Sequence, residues 1–293
     1  MPGERNPLPG RLRSLSIALM NQLHTDTAEV PPPRRAIVTG ADSGIGRATA
    51  VALAAAGMDV GITWHSDEQG AEETAAEVRS HGSRAVVARL DAAEIPECGD
   101  VIDQLADELG GIDVFVNNAG TGASTLLVDV SLDEWRQVLD VDLTGPFVCV
   151  QRAARRMIAQ GRGGRIIAVS SVHEHQPRVG SSAYDAAKHG LGGLIKTAAL
   201  ELGRYGITAN TVAPGEIATP MTGQTDEDPV GTDRPGIPLG RPGDAREIAA
   251  VIAFLASPEA SYVTGSSVVA DGGMLQMGPQ AGSHLTTHDW RNV

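Results

Sequence analysis

From Arg34 onward, short runs of consecutive apolar residues alternate with longer stretches of helical spacing, and this alternation restricts the chain to few architectures. The apolar runs fall at residues 36–39, 60–64, 85–90, 114–117, 166–170, 208–213 and 267–270. They are apolar at successive positions rather than at every second one, as strands covered on both faces require. Helical spacing occupies 46–56, 69–81 and 95–109 between them. Strand–helix alternation repeated this often implies an α/β chain with a doubly wound parallel β-sheet in a single domain. Sheets of this kind hold ligands in the crevice beyond the carboxyl ends of their strands. Neither an internal repeat nor a second domain is visible. Segment 219–240, rich in Pro, Gly, Asp and Thr, is the least regular interior stretch and has the length of a substrate lid.

Composition removes several function classes. A formal net charge of −13 leaves no basic face for a nucleic-acid backbone. No apolar run approaches the roughly 18 residues of a membrane span. Two cysteines, Cys98 and Cys149, build neither a disulfide framework nor a zinc site, and a cytoplasmic location is expected. Residues 1–33 read as a flexible extension closed by Pro31-Pro32-Pro33, with 34–293 as the folded domain. The apolar stretch after Arg5, Arg11 and Arg13 is broken by Ser16 and lacks a cleavage signal.

The first strand runs straight into Thr39-Gly40-Ala41-Asp42-Ser43-Gly44-Ile45-Gly46, after which a helix begins. Glycines here let the backbone turn sharply and turn its amides toward a phosphate at the positive end of the helix. The spacing is Gly-x-x-x-Gly-x-Gly, and Asn117-Asn118-Ala119-Gly120 follows the fourth strand. Together these resemble the short-chain dehydrogenase/reductase family over almost all of 34–273. The resemblance implies a Rossmann-type fold and a dinucleotide on Gly40, Ser43, Gly44, Ile45, Gly46, Asn117, Asn118, Ala119 and Gly120. It also implies an adenine contact at Asp91, and Pro214, Gly215, Ile217 and Thr219 beside the nicotinamide carboxamide. A turn that only ties strand to loop is the structural alternative for the Asn pair. NAD specificity usually needs a carboxylate after the second strand. Trp64, His65 and Ser66 stand there instead, and His65 and Ser66 can donate to a 2′-phosphate, so NADP(H) is favoured over NAD(H).

Tyr184 and Lys188 stand four apart in a helical pattern, which puts them on one face. Ser171 ends the fifth strand, thirteen residues before Tyr184. Ser-then-Tyr-x-x-x-Lys is the catalytic set of the resembled family. A carbonyl that takes a hydride becomes an alkoxide and needs a proton near neutral pH, where free tyrosine exchanges protons poorly. A lysine one turn away favours the phenolate. Lys188 would also hold the nicotinamide ribose, and Ser171 would donate to the substrate oxygen. The family usually carries an Asn in the preceding helix, and Asp142 takes that place here. Ser131 and Glu134 form a capping-box pattern, after which Trp135, Val138, Leu139 and Asp142 make a buried stripe. Asp142 is expected to serve the proton relay near Lys188, as an acceptor or as a protonated acid.

Ser171-Val172-His173-Glu174 is similar to the same stretch in bacterial glucose dehydrogenases, and similar enzymes also reduce 3-oxoacyl thioesters, diacetyl or acetoin. Few aromatic residues argue for a small polar carbonyl or alcohol substrate. No metal is expected, although His173, Glu174 and His175 adjoin Ser171. The acidic side chains of the lid, Asp226, Glu227, Asp228 and Asp233 against Arg234, disfavour an anionic acyl carrier. A non-catalytic dinucleotide sensor or scaffold is the rival reading, and it would not need Ser171, Tyr184 and Lys188 together. The resemblance further implies a homotetramer or homodimer built on two long helices, 135–160 and 182–205, with Trp290 to Val293 reaching a neighbouring subunit.

Overall fold

A computed structural model describes residues 33–224 and 228–277. The strands in chain order are β1 (Arg35–Val38), β2 (Asp59–Trp64), β3 (Ala85–Arg89), β4 (Val114–Asn117), β5 (Gly164–Val169), β6 (Ile207–Pro214), β7 (Ile217–Ala218), β8 (Gly243–Asp244) and β9 (Ser267–Ala270). Seven of them form one sheet in the order β3-β2-β1-β4-β5-β6-β9, every pair parallel, while β7 and β8 pair apart from it. Each expected strand is present within two residues of its expected ends. The expected extension up to Pro32, the lid residues Asp226 and Glu227, and the tail at Trp290 lie outside the described residues.

The helices are α1 (Gly44–Ala55), α2 (Glu68–Ser80), α3 (Cys98–Leu109), α4 (Leu132–Leu139), α5 (Gly145–Gln160), α6 (Ser182–Leu202) and α7 (Ala245–Ala256). Consecutive apolar residues within a strand serve opposite faces. Ile37, Phe115 and Ile166 pack with Ile102 and Leu105 of α3, Met157 of α5 and Leu191 of α6. Their neighbours Val38, Val116 and Ile167 pack with Leu53 of α1, Val78 of α2 and Ile252 of α7. Each fully buried side chain of this size contributes about 1.5–3 kcal/mol, so the central strands are held rigidly and their ends can position a site. The chain winds outward from β1 to β3 and returns to β4 on the other side of β1. The crevice therefore opens at the carboxyl ends of β1 and β4.

The long helix expected over 135–160 is broken. Between α4 and α5 the backbone widens into a π turn at Asp140–Thr144. Pro146 has no amide to bond the carbonyl four residues earlier, and a Cβ on Gly145 would lie 2.1 Å from the Ala92 carbonyl oxygen. The ladder opens at this point and carries Asp142 inward, where it is fully buried. The Ser131 half of the expected capping box forms, its hydroxyl accepting from the Glu134 amide at 3.1 Å. The second long helix ends at Leu202 and finishes as a 3-10 turn at Gly203–Tyr205. Among the described residues, no helix is long and apolar enough to cross a membrane.

Candidate functional site

The loop between β1 and α1 is built for close backbone approach. Gly40 and Gly44 hold φ of 60° and 53°, a left-handed region that other residues adopt at a cost. A Cβ on Gly46 would lie 2.1 Å from the Gly40 carbonyl oxygen and 2.6 Å from the Asn118 amide nitrogen. Asn118 fixes the loop to β4 by donating its side-chain amide to the carbonyls of Thr39 at 2.9 Å and Gly40 at 2.8 Å. The amides of Asn118 and Ala119 both donate to the Thr39 hydroxyl. The tie between strand and loop, posed above as the structural alternative for the Asn pair, is therefore present in Asn118. α1 begins with no side-chain cap at Ser43 and no acid in its first turn, so its free amides face the crevice unneutralised.

A cleft of about 720 Å³ runs from this loop across the strand ends. It brings together Gly40, Ser43, Gly44, Ile45, His65, Ser66, Asn118, Ala119, Gly120, Ser171, Tyr184, Lys188, Pro214, Gly215, Ile217 and Thr219. Gly46, Asp91, Asn117 and Asp142 do not line it. Gly46 lies under the loop, and Asn117 is buried in β4 beside Ala168. Asp91 accepts from the Ala93 amide and sits 3.2 Å from His65 Nε2, so the exposed His65 ring already has an acidic partner. From the expected lid, Pro220, Met221, Thr222 and Gln224 also line the cleft.

Ser171 and the first turns of α6 face each other across this space. The Ser171 hydroxyl oxygen accepts from the His173 amide at 3.2 Å, which leaves its proton to donate. Lys188 Nζ lies 5.3 Å from the centre of the Tyr184 ring and 3.5 Å from the Val169 carbonyl oxygen, to which it donates. Behind it, Asp142 Oδ1 stands 3.7 Å from Nζ and accepts from the Thr121 amide at 2.9 Å. Asp142 Oδ2 is buried and has no hydrogen-bond partner among the described residues. Burial holds the Asp142 carboxyl above the usual carboxylate range, with Lys188 and the Thr121 amide opposing. Burial also draws the Lys188 ammonium down, but Asp142, Tyr184 and Glu174 outweigh it and the net direction is upward. Lys188 is therefore a firmly held cation beside a tyrosine that opens onto the cleft.

Two residues of the cleft were not legible beforehand as parts of a site. Asp42 lines it beside His65 and Ser66, and burial holds its carboxyl above the usual range, with neighbouring Asp67 adding to that. Its place inside the glycine loop was the available signal. Arg178 lines the far end, its Nε donating to the Ser181 hydroxyl at 3.1 Å. Its segment, residues 175–181, has no regular pattern. Of the three residues that the sequence sets beside Ser171, His173 lines the cleft and bonds the Gln176 carbonyl, whereas Glu174 and His175 lie off it and share the Ser267 hydroxyl, Glu174 also accepting from Thr211.

Comparison with known proteins adds four findings. The family model described as enoyl-(acyl carrier protein) reductase matches residues 40–275. An uncharacterized oxidoreductase, YohF, of Escherichia coli K12 is 52% identical over 245 residues, which is 84% of this chain and 97% of that protein. A 3-oxoacyl-[acyl-carrier-protein] reductase of Synechocystis is 42% identical, covering 82% of this chain and 96% of its own. The crystal structure of an acetoin dehydrogenase, YohF from Salmonella typhimurium, superposes with a TM-score of 0.80 at 51% identity, covering 85% of this chain and 98% of that one.

Proposed function

The chain belongs to the short-chain dehydrogenase/reductase family, and we propose that it interconverts a small polar ketone and its alcohol with NAD(H). As an oxidoreductase of that family it binds NAD(P) and acts on carbonyl or CH–OH groups of small molecules. The non-catalytic sensor reading finds no support among these relatives. The observation that carries the proposal is the convergence of Ser171, Tyr184 and Lys188 on one cleft with the glycine loop.

The residues present fit a dinucleotide. The uncapped start of α1 offers amides to a pyrophosphate, and the missing side chain at Gly46 lets the loop backbone at Gly40 pack directly on the helix start. Ser66, Pro214, Gly215, Ile217 and Thr219 would line the rest of its length, with the Lys188 ammonium toward the nicotinamide ribose. When bound, the nicotinamide supplies or receives the hydride. In the reduction, the Ser171 hydroxyl donates to the substrate carbonyl oxygen and holds it beside Tyr184. The Tyr184 hydroxyl gives its proton to that oxygen as negative charge develops there, and the ammonium of Lys188 stabilises the phenolate left behind. In the oxidation the same phenolate takes the proton back.

Cofactor choice departs from the sequence expectation of NADP(H). That expectation rested on the absence of a carboxylate after β2. The loop supplies one instead, Asp42, which lines the cleft beside His65 and Ser66. A carboxylate there accepts from ribose hydroxyls and repels a 2′-phosphate, which supports NAD(H). Acetoin, named in the description of the Salmonella relative, is a small polar ketone of the proposed kind. Exposed Phe147 on α5 and Leu200 on α6 support a homodimer or homotetramer, which light scattering would check. The free, buried Cys98 and Cys149 suit the reducing cytoplasm.

The test is a titration of the purified protein with NADH and NADPH by nicotinamide fluorescence, then a panel of acetoin, other small ketones and 3-oxoacyl thioesters. Turnover of small ketones with NADH is expected. Tight binding of either dinucleotide with no turnover of any ketone would overturn the assignment.

A further inference from the structure

His173 stands two residues after Ser171 and lines the cleft. Its ring meets the Tyr184 ring edge-on, with centroids 6.0 Å apart and planes at 77°. Nδ1 lies 2.9 Å from the Gln176 carbonyl oxygen. A carbonyl oxygen only accepts, so the proton of the neutral ring sits on Nδ1 and Nε2 carries a lone pair. Asp185 reinforces this arrangement. Its Oδ1 is buried, has no hydrogen-bond partner among the described residues and stands 4.0 Å from the same Nδ1. The carboxylate is itself held by the Arg178 amide, which donates to Oδ2 at 3.0 Å. Nε2 has no hydrogen-bond partner among the described residues. An imidazole fixed from behind and left with an open lone pair beside the proton-donating tyrosine is a recognition element that proton transfer at Tyr184 does not use.

Resting on the proposed ketone–alcohol reaction, we propose that His173 Nε2 accepts a hydrogen bond from a hydroxyl on the carbon next to the reacting one, which selects α-hydroxy ketones and vicinal diols. The reacting oxygen is held at Ser171 and Tyr184, and the His173 amide is bonded to that same Ser171 hydroxyl. The His173 ring, in the cleft and edge-on to Tyr184, is thereby set beside the place of an oxygen one carbon away. A lone pair recognises a hydroxyl, which donates, and not a second carbonyl, which has no proton to give. Recognition is thus for the hydroxy ketone over the diketone of the same carbon skeleton.

The experiment measures kcat/KM with NADH for three four-carbon ketones: 3-hydroxy-2-butanone, 2-butanone and 2,3-butanedione. It compares the wild type with His173→Leu and His173→Gln, whose folding is checked by circular dichroism. Leaving one hydrogen-bonding group unpaired lowers selectivity by about tenfold or more. His173→Leu is expected to lower the ratio of hydroxy ketone to 2-butanone by about that factor, mainly through KM. The ratio of dione to 2-butanone is expected to stay close to that of the wild type. His173→Gln, which keeps an acceptor, is expected to recover part of the lost ratio. An unchanged hydroxy-ketone ratio in His173→Leu overturns the proposal, as does an equal loss on all three ketones. If the wild type turns over none of them while binding NADH, the ketone–alcohol reading itself fails and takes this inference with it.

Discussion

Replacing Asp142 by Asn tests how the buried carboxylate acts on the proton-transfer group. Asp142 Oδ1 is 3.7 Å from Lys188 Nζ, and Nζ is 5.3 Å from the centre of the Tyr184 ring. Laid end to end these legs bound the separation, so the carboxylate is within about 9 Å of the ring. At an effective dielectric near 20, a unit charge at that distance is worth about 1.8 kcal/mol, a little over one pH unit. An anion there opposes formation of the phenolate, and it offsets part of the attraction that Lys188 exerts. Asn keeps an oxygen for the Thr121 amide and removes the charge. The acid limb of kcat/KM for alcohol oxidation, below which the proton-accepting form is lost, should therefore move to lower pH by about one unit or more. The assay is initial rates of oxidation at saturating dinucleotide from about pH 6 to about pH 11. Superimposed limbs for the two proteins would refute the electrostatic account. A shift to higher pH would reverse its sign.

Other consequences are equally open to measurement. Gly46→Ala forces a methyl group against the Gly40 carbonyl, so thermal stability should fall by about 1–3 kcal/mol and NADH fluorescence enhancement should vanish. Retained binding at full stability would contradict the role given to that contact. Asp42→Ser removes the carboxylate proposed to face the ribose, and the NADPH-to-NADH ratio of kcat/KM should rise by about tenfold or more. An unmoved ratio would show that Asp42 does not select the dinucleotide. At the start of α7, the Arg241 guanidinium, and then the Asp244 amide, hold the Glu247 carboxyl down to about 2 from its ordinary 4.5. A depressed carboxylate contributes stability that is complete above pH 4.5 and is lost as pH falls toward about 2. The pair is half exposed, so the contribution is at most about 1 kcal/mol. Glu247→Gln should lower the melting temperature at pH 6, and the difference from wild type should close as the pH falls.

What the sequence alone determined is what is encoded between near neighbours. Apolar residues at successive positions required strands covered on both faces, and the pairing of Ile37 with one layer and Val38 with the other is that requirement met. Gly40, Gly44 and Gly46 between the first strand and the first helix announced a backbone cradle. The spacing of Tyr184 and Lys188 put them on one face of a helix without reference to anything distant. Only the tertiary structure decided features that need segments far apart in the chain. Asp42 and Asp91 come close to His65 because β1, β2 and β3 end side by side, a grouping of charge that β2 alone does not reveal. The helix expected to be continuous opens at Asp140–Thr144 because Gly145 is pressed against Ala92 of a neighbouring segment while Pro146 withholds an amide. Asp142 reaches Lys188 through that opening. His173 acquires its orientation from Gln176, Asp185 and the Tyr184 ring, which belong to a loop and a helix that meet it only after folding. Local spacing fixes which residues share a face. The charges and lone pairs that finally surround them depend on which strand ends and turns the packing brings together.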